Sequence, residues 1–82
     1  MEVRIVTWLD SLGGSSWEPL EDIRAYRPLE IHTAGFVIDE SDEHVTILQS
    51  YDERANGKPH GDHVICIPKF AIREMRTLEG IV

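Results

Sequence analysis

Apolar and polar residues alternate along most of this chain with a period of two, and that pattern predicts strands. Val3-Arg4-Ile5-Val6-Thr7-Trp8-Leu9 is rich in β-branched and aromatic residues and reads as a first strand. Asp10-Ser11 and Gly13-Gly14-Ser15-Ser16 break it, since these are turn formers. In Trp17 to Tyr26, Pro19 suits the first turn of a helix, and Glu18, Glu21 and Asp22 favour its N-terminal end. Leu20, Ile23 and Tyr26 share a helical spacing, so one face is expected to pack down before Pro28 ends the segment. From Leu29 the alternation returns: Leu29, Ile31 and Thr33 point one way, Glu30 and His32 the other. Gly35 interrupts the run before Phe36-Val37-Ile38, and a glycine inside a strand marks a bulge or bend.

Asp39-Glu40-Ser41-Asp42-Glu43 reads as an acidic turn, followed by a third strand from His44 to Tyr51, so the two runs make a hairpin. Asp52 to Asp62 reads as a loop with Asn56-Gly57 at a turn centre. A fourth strand covers His63 to Ile67 and stops at Pro68. Lys69-Phe70-Ala71 is a tight turn. Ile72 to Leu78 reads as a fifth strand, although Ile72, Met75 and Leu78 also fit a helical spacing. The fold class expected is all-β: one domain over residues 1–82, a small, strongly bent, five-stranded antiparallel barrel of the Sm-like or SH3-like kind, with a short helical segment inserted after the first strand. The expected core closes over Val3, Ile31, Val37, Ile47 and Ile65.

Composition narrows the setting. Eighty-two residues leave no room for a second core, and self-association would add buried area to a domain this small. Eight basic against fifteen acidic residues give a net charge of −7. That charge repels phosphate backbones at long range, so non-specific nucleic-acid coating and anionic membrane surfaces are disfavoured. The single cysteine, Cys66, has no intramolecular disulfide partner; within Val64-Ile65-Cys66-Ile67 it reads as a small buried hydrophobe. No signal-peptide plan or membrane-length apolar run is present, and the expected setting is a reducing cytoplasm.

The strand pattern resembles the Sm-like fold at residue level. Gly35 is followed by Asp42-Glu43-His44-Val45-Thr46-Ile47-Leu48, where Asp42, Val45 and Leu48 fit the first Sm motif with one extra loop residue, and Thr46 stands where that family has asparagine. Ile67-Pro68-Lys69 precedes Ile72 and Met75 with the apolar spacing of the second motif, Pro68-Lys69 replacing its Arg-Gly pair. The Trp-Leu-Asp-Ser start, the glycine-then-tryptophan turn and the Ile-Pro-Lys near the end resemble small phage-encoded Sm-like proteins of undetermined role, which would place the chain in the cytoplasm of a bacterial host. The resemblance implies a homo-oligomer, a ring in which the fourth strand of one copy pairs with the fifth of the next. It also implies a ligand pocket at Asp42, Thr46, Pro68 and Lys69. Single-stranded RNA is the ligand class of such pockets, and the lost asparagine and arginine and the net charge speak against it here. An SH3-like adaptor for a protein partner is a further alternative.

Other candidates reduce to ordinary features. His60, His63 and Cys66 invite a zinc reading, but four converging ligands are needed, there is no second cysteine, and residues three apart on a strand point to opposite faces. Asp39, Glu40, Asp42 and Glu43 lack the length and glycine of a calcium loop and have no neighbouring arginine in sequence. Ser11 or Ser50 can be grouped with histidines only on paper, with no Gly-x-Ser-x-Gly elbow. No catalytic residue and no cofactor is assigned. Trp8 is expected in the core or an interface. Trp17 is a candidate stacking or partner surface, weighed against core or subunit packing, because large aromatics in small domains usually bury.

Overall fold

The computed structural model describes residues 1–53 and 57–79. Its strands are β1 (Val3–Asp10), β2 (Leu29–Glu40), β3 (His44–Asp52), β4 (His60–Pro68) and β5 (Ile72–Thr77). An α-helix, α1 (Leu20–Arg24), lies between β1 and β2, and a 3-10 turn over Lys69–Ala71 links β4 to β5. All neighbouring strands run antiparallel in a single sheet of order β4-β3-β2-β1-β5. The chain is thus all-β, with Ile72–Thr77 a strand and not a helix.

One core draws on every strand. Val6, Val45, Ile47 and Ile67 are buried together, with Trp8, Val37, Ile65, Ile72 and Met75 packed against them and Leu48 buried beside. A single sheet can bring its two border strands onto one core only by curling. The curl is centred on β2, whose first half, Leu29 to Phe36, pairs with β1 and whose second half, Phe36 to Glu40, pairs with β3. Gly35 stands at that handover. A Cβ there would lie 2.4 Å from the Ile47 side chain and 2.7 Å from the Leu48 carbonyl oxygen, so only glycine lets β3 approach so closely. The register itself slips between Val37 and Asp39, so the bend and the bulge are separate devices.

Several expectations need correction. Val3 and Ile31 are only partly buried, and Val6, Val45 and Ile67 join the expected Ile47 at the centre. β4 begins at His60, inside the expected loop; of the expected turn centre, Gly57 has a φ of 71° and Asn56 lies outside the described residues. Cys66 is exposed, because alternation along β4 sends Ile65 and Ile67 inward and Cys66 outward. Leu20 and Ile23 are exposed and Tyr26 is only partly buried, so no residue of α1 reaches the core. Asp10 pairs directly with Leu29, so residues 11–28 form an arm inserted into the β1–β2 hairpin. Within it the Tyr26 hydroxyl donates to the Glu18 carboxylate at 2.8 Å.

Among the described residues the two outer strands, β4 and β5, each pair with a single neighbour. Lys69 donates its N–H to the Glu43 carbonyl at 2.8 Å. Hydrogen-bonded pairs alternate along an antiparallel ladder, so Asp62, Val64 and Cys66 aim their backbone N–H and C=O away from β3. Pro68 falls on the same outward parity, where a missing N–H costs the ladder nothing. On the other border Leu78 donates to Val3 at 2.8 Å, so Met75 and Thr77 aim their backbone groups outward. No helix among the described residues is long and apolar enough to cross a membrane.

Candidate functional site

The hairpin turn between β2 and β3 lies against the β4–β5 turn. His44 pairs with Pro68, and the Lys69–Glu43 backbone bond ties the two turns together. Asp42, Pro68 and Lys69 therefore come to one end of the sheet. Thr46 sits two residues further along β3, partly buried, between Asp39 on β2 and Cys66 on β4. Asp42 is exposed at the tip.

Ion pairs organise this end. Glu40 receives Lys69 Nζ at 2.9 Å on one oxygen and Arg4 Nη1 at 2.9 Å on the other. Arg4 also pairs with Glu2, and its Nη1 approaches the Met75 sulfur at 3.4 Å. The acidic segment thus has an arginine beside it after all, brought from β1 by the sheet register. Lys69 first, and Arg4 second, hold the Glu40 carboxyl below its ordinary range. The same contact neutralises Lys69, the one basic side chain at the expected pocket.

Next to it runs a chain of three side chains. The Ser41 hydroxyl meets His44 Nδ1 at 3.0 Å, and His44 Nε2 meets Asp39 at 2.9 Å, a contact that lowers the Asp39 pKa. The connectivity is that of a Ser-His-Asp relay, but the chemistry is that of a turn. Ser41 Oγ already accepts the backbone N–H groups of Glu43 and His44 at 3.1 and 3.3 Å, and so serves as the hairpin's own cap. The three residues clasp the turn and fix the tip that carries Asp42.

The remaining candidates disperse. His60 Nδ1 bonds the Lys58 carbonyl at 2.7 Å, and His63 Nδ1 pairs with Asp62 at 3.0 Å. Among the described residues no three His, Cys, Asp or Glu side chains group to hold a metal. His63 has a φ of 54°, a left-handed conformation that costs a non-glycine residue about 1–2 kcal/mol, and its expected pairing with Gln49 is skipped in the ladder. Trp8 is a core residue, its indole N–H donating to Thr33 Oγ1 at 2.9 Å. Trp17 is fully exposed on the arm, so packing in the chain's own core is ruled out.

The surface hollows lie elsewhere. An open one of about 660 Å³ runs along Phe36, Tyr51, Asp52 and Glu53, where the Phe36 and Tyr51 rings meet edge to face at 5.1 Å. Two adjoining hollows of about 280 and 290 Å³ share Ser11 and Pro28 at the root of the arm. The first is walled by Leu9, Phe70, Ala71 and Arg73 beside β5. None of these three hollows is lined by Asp42, Thr46, Pro68 or Lys69.

Sequence reasoning missed Arg4, Glu40, Ser41 and His44 as a cluster. Ser41-x-x-His44 carries a local turn signal, whereas the Arg4–Glu40 pair depends on strand register and has no signature along the chain. Comparison with protein-family models, with curated proteins and with solved structures returned no match to this chain.

Proposed function

We propose that this protein is a non-catalytic assembly module: a curled Sm-like barrel that pairs β4 of one copy with β5 of the next to close a homo-oligomeric ring. One observation carries the reading. Among the described residues both borders of the sheet turn backbone groups outward with no further strand to meet them, at Asp62, Val64 and Cys66 on β4 and at Met75 and Thr77 on β5. Exposed borders of this kind template pairing with another chain. They differ from each other, so the contact is head-to-tail, and a head-to-tail contact closes into a ring or runs on as a filament. Val64, a β-branched residue with 59% exposure, is the side chain such a contact would cover.

Surface area supports the same reading. A compact monomer of 9.4 kDa exposes about 5,000 Å². This protomer exposes 6507 Å², about 1,500 Å² more than that scaling. Its radius of gyration is 16.7 Å, against about 12 Å for a compact chain of this length. A stable interface takes about 800 Å² from each partner, so the excess is what two contacts per protomer would cover.

The ligand pocket implied by the Sm resemblance is, on this reading, a structural junction whose lysine is engaged by Glu40. Size-exclusion chromatography with light scattering, with and without a short uridine-rich oligonucleotide, tests the proposal. Several chains per particle without RNA are expected. A strict monomer at micromolar concentration overturns it, and assembly only in the presence of RNA would return the function to nucleic-acid binding.

A further inference from the structure

We infer that residues 11–28 are an assembly arm, whose Trp17 seats in the hollow beside β5 of a second copy of this chain. The inference rests on the assembly reading above and adds a contact that edge pairing does not require. The arm has apolar side chains, and none of them belongs to the core or packs against it. Trp17 is fully exposed, and Leu12, Leu20 and Ile23 are exposed around it, although α1 would gain by burying such a face.

The hollow offers matching chemistry. Leu9, Pro28, Phe70 and Ala71 wall a space of about 280 Å³, and Phe70 stands 88% exposed at its rim. Two large exposed aromatics on one small protomer, one projecting and one beside a hollow, are suited to meet between copies. Charge agrees with this. Asp10 and Arg73 line the hollow, and Glu21, Asp22 and Arg24 lie on the arm's helix, so each side offers a charge for the other; among the described residues Arg73 has no acidic partner, and Glu21 and Asp22 have no basic one. Opposite charges left unpaired beside two apolar surfaces fix the orientation of a contact.

The occupant is a second copy for two reasons. The hollow adjoins the β5 border, where edge pairing places the next subunit, so the two contacts are continuous. The exposed area in excess of a compact monomer is also what the two subunit contacts of a ring would cover, and the arm's exposed side chains are part of that area.

Three proteins test this: wild type, Trp17→Ser and Phe70→Asp. Both substitutions are at exposed positions, and circular dichroism checks that each protein keeps its strands. The readouts are the dissociation concentration by light scattering on dilution and the acrylamide quenching of tryptophan, with the Trp17→Ser protein supplying the Trp8 background. Each variant is expected to raise the dissociation concentration about tenfold or more, the size of an aromatic hot spot. Trp17 is expected to be shielded from acrylamide above that concentration and open below it. Mixing the two variants is expected to recover part of the loss, since an intact arm on one meets an intact hollow on the other. The inference fails if wild type assembles while Trp17→Ser dissociates at the same concentration and quenching does not change on dilution. It also fails if Trp17 is shielded in dissociated protomers. A wild type that never assembles sinks the edge-pairing proposal along with it, so the two failures are distinguishable.

Discussion

Gly35 and Glu40 lie five residues apart on β2 and bear on opposite requirements of the same bend. Gly35 matters for the atoms it lacks. With the Leu48 carbonyl 2.7 Å from where a methyl carbon would stand, alanine must push backbone away, and backbone yields little. Gly35→Ala is expected to cost about 1–3 kcal/mol in urea unfolding, as other overpacking substitutions do. A neutral effect would show that β3 can withdraw without loss. Glu40 matters for its charge. Its carboxyl is held below the ordinary glutamate value by Lys69 and then Arg4, and the His44 contact does the same for Asp39. A carboxyl whose pKa is lower in the folded than in the unfolded chain contributes stability fully above the unfolded value. That contribution is lost as pH falls through the folded value. For Glu40 the loss begins below about pH 4.5. Glu40→Gln is therefore expected to be less stable than wild type at pH 7, and to lose less on acidification. The effect stays within about 1 kcal/mol, since the pair is partly open to solvent. Parallel stability–pH curves for the two proteins would remove the role given to this carboxylate.

The elements were mostly legible in the sequence, and the reasons are physical. Period-two alternation locates strands because side chains on a strand must alternate, and Pro68 and Gly35 punctuate it through backbone restraints. Alternation does not say which parity faces inward in a continuous apolar run. Val64-Ile65-Cys66-Ile67 has no polar residue to break the tie, so the run reads equally well with Cys66 inward, whereas Ile65 and Ile67 face the core. Helical spacing in Leu20, Ile23 and Tyr26 identified α1 but could not tell whether its face has anything to cover. The junction of Glu40 with Arg4 and Lys69 was illegible because it joins two strands and the β4–β5 turn through register. The β5 border carries its own prediction. Thr77 is exposed, and its N–H points away from β1, so proline there removes an outward donor without breaking the ladder to β1. Thr77→Pro is expected to keep the far-ultraviolet spectrum of wild type and to dissociate the assembly. Retention of wild-type mass would mean that β5 is not the joining strand.

At the scale of the molecule, this protomer measures 54 × 28 × 24 Å and fully buries only a handful of apolar side chains. A chain this small has a narrow margin between burial and the entropy of ordering. The arm lengthens it without adding to the core, and the two sheet borders leave backbone groups to water. Each feature is a cost to a solitary protomer and an asset to one surrounded by copies. The most direct test is residue-resolved amide hydrogen exchange. In a lone protomer the N–H groups of Val64, Cys66 and Thr77 face solvent and exchange quickly, while those of Ile65 and Ile67 are held by β3. Joined borders predict slow exchange at Val64, Cys66 and Thr77 as well, in concentrated samples, lost on dilution or in Thr77→Pro. Fast exchange at all three in a concentrated sample, with Ile65 and Ile67 protected, would contradict the pairing of β4 with β5 between copies.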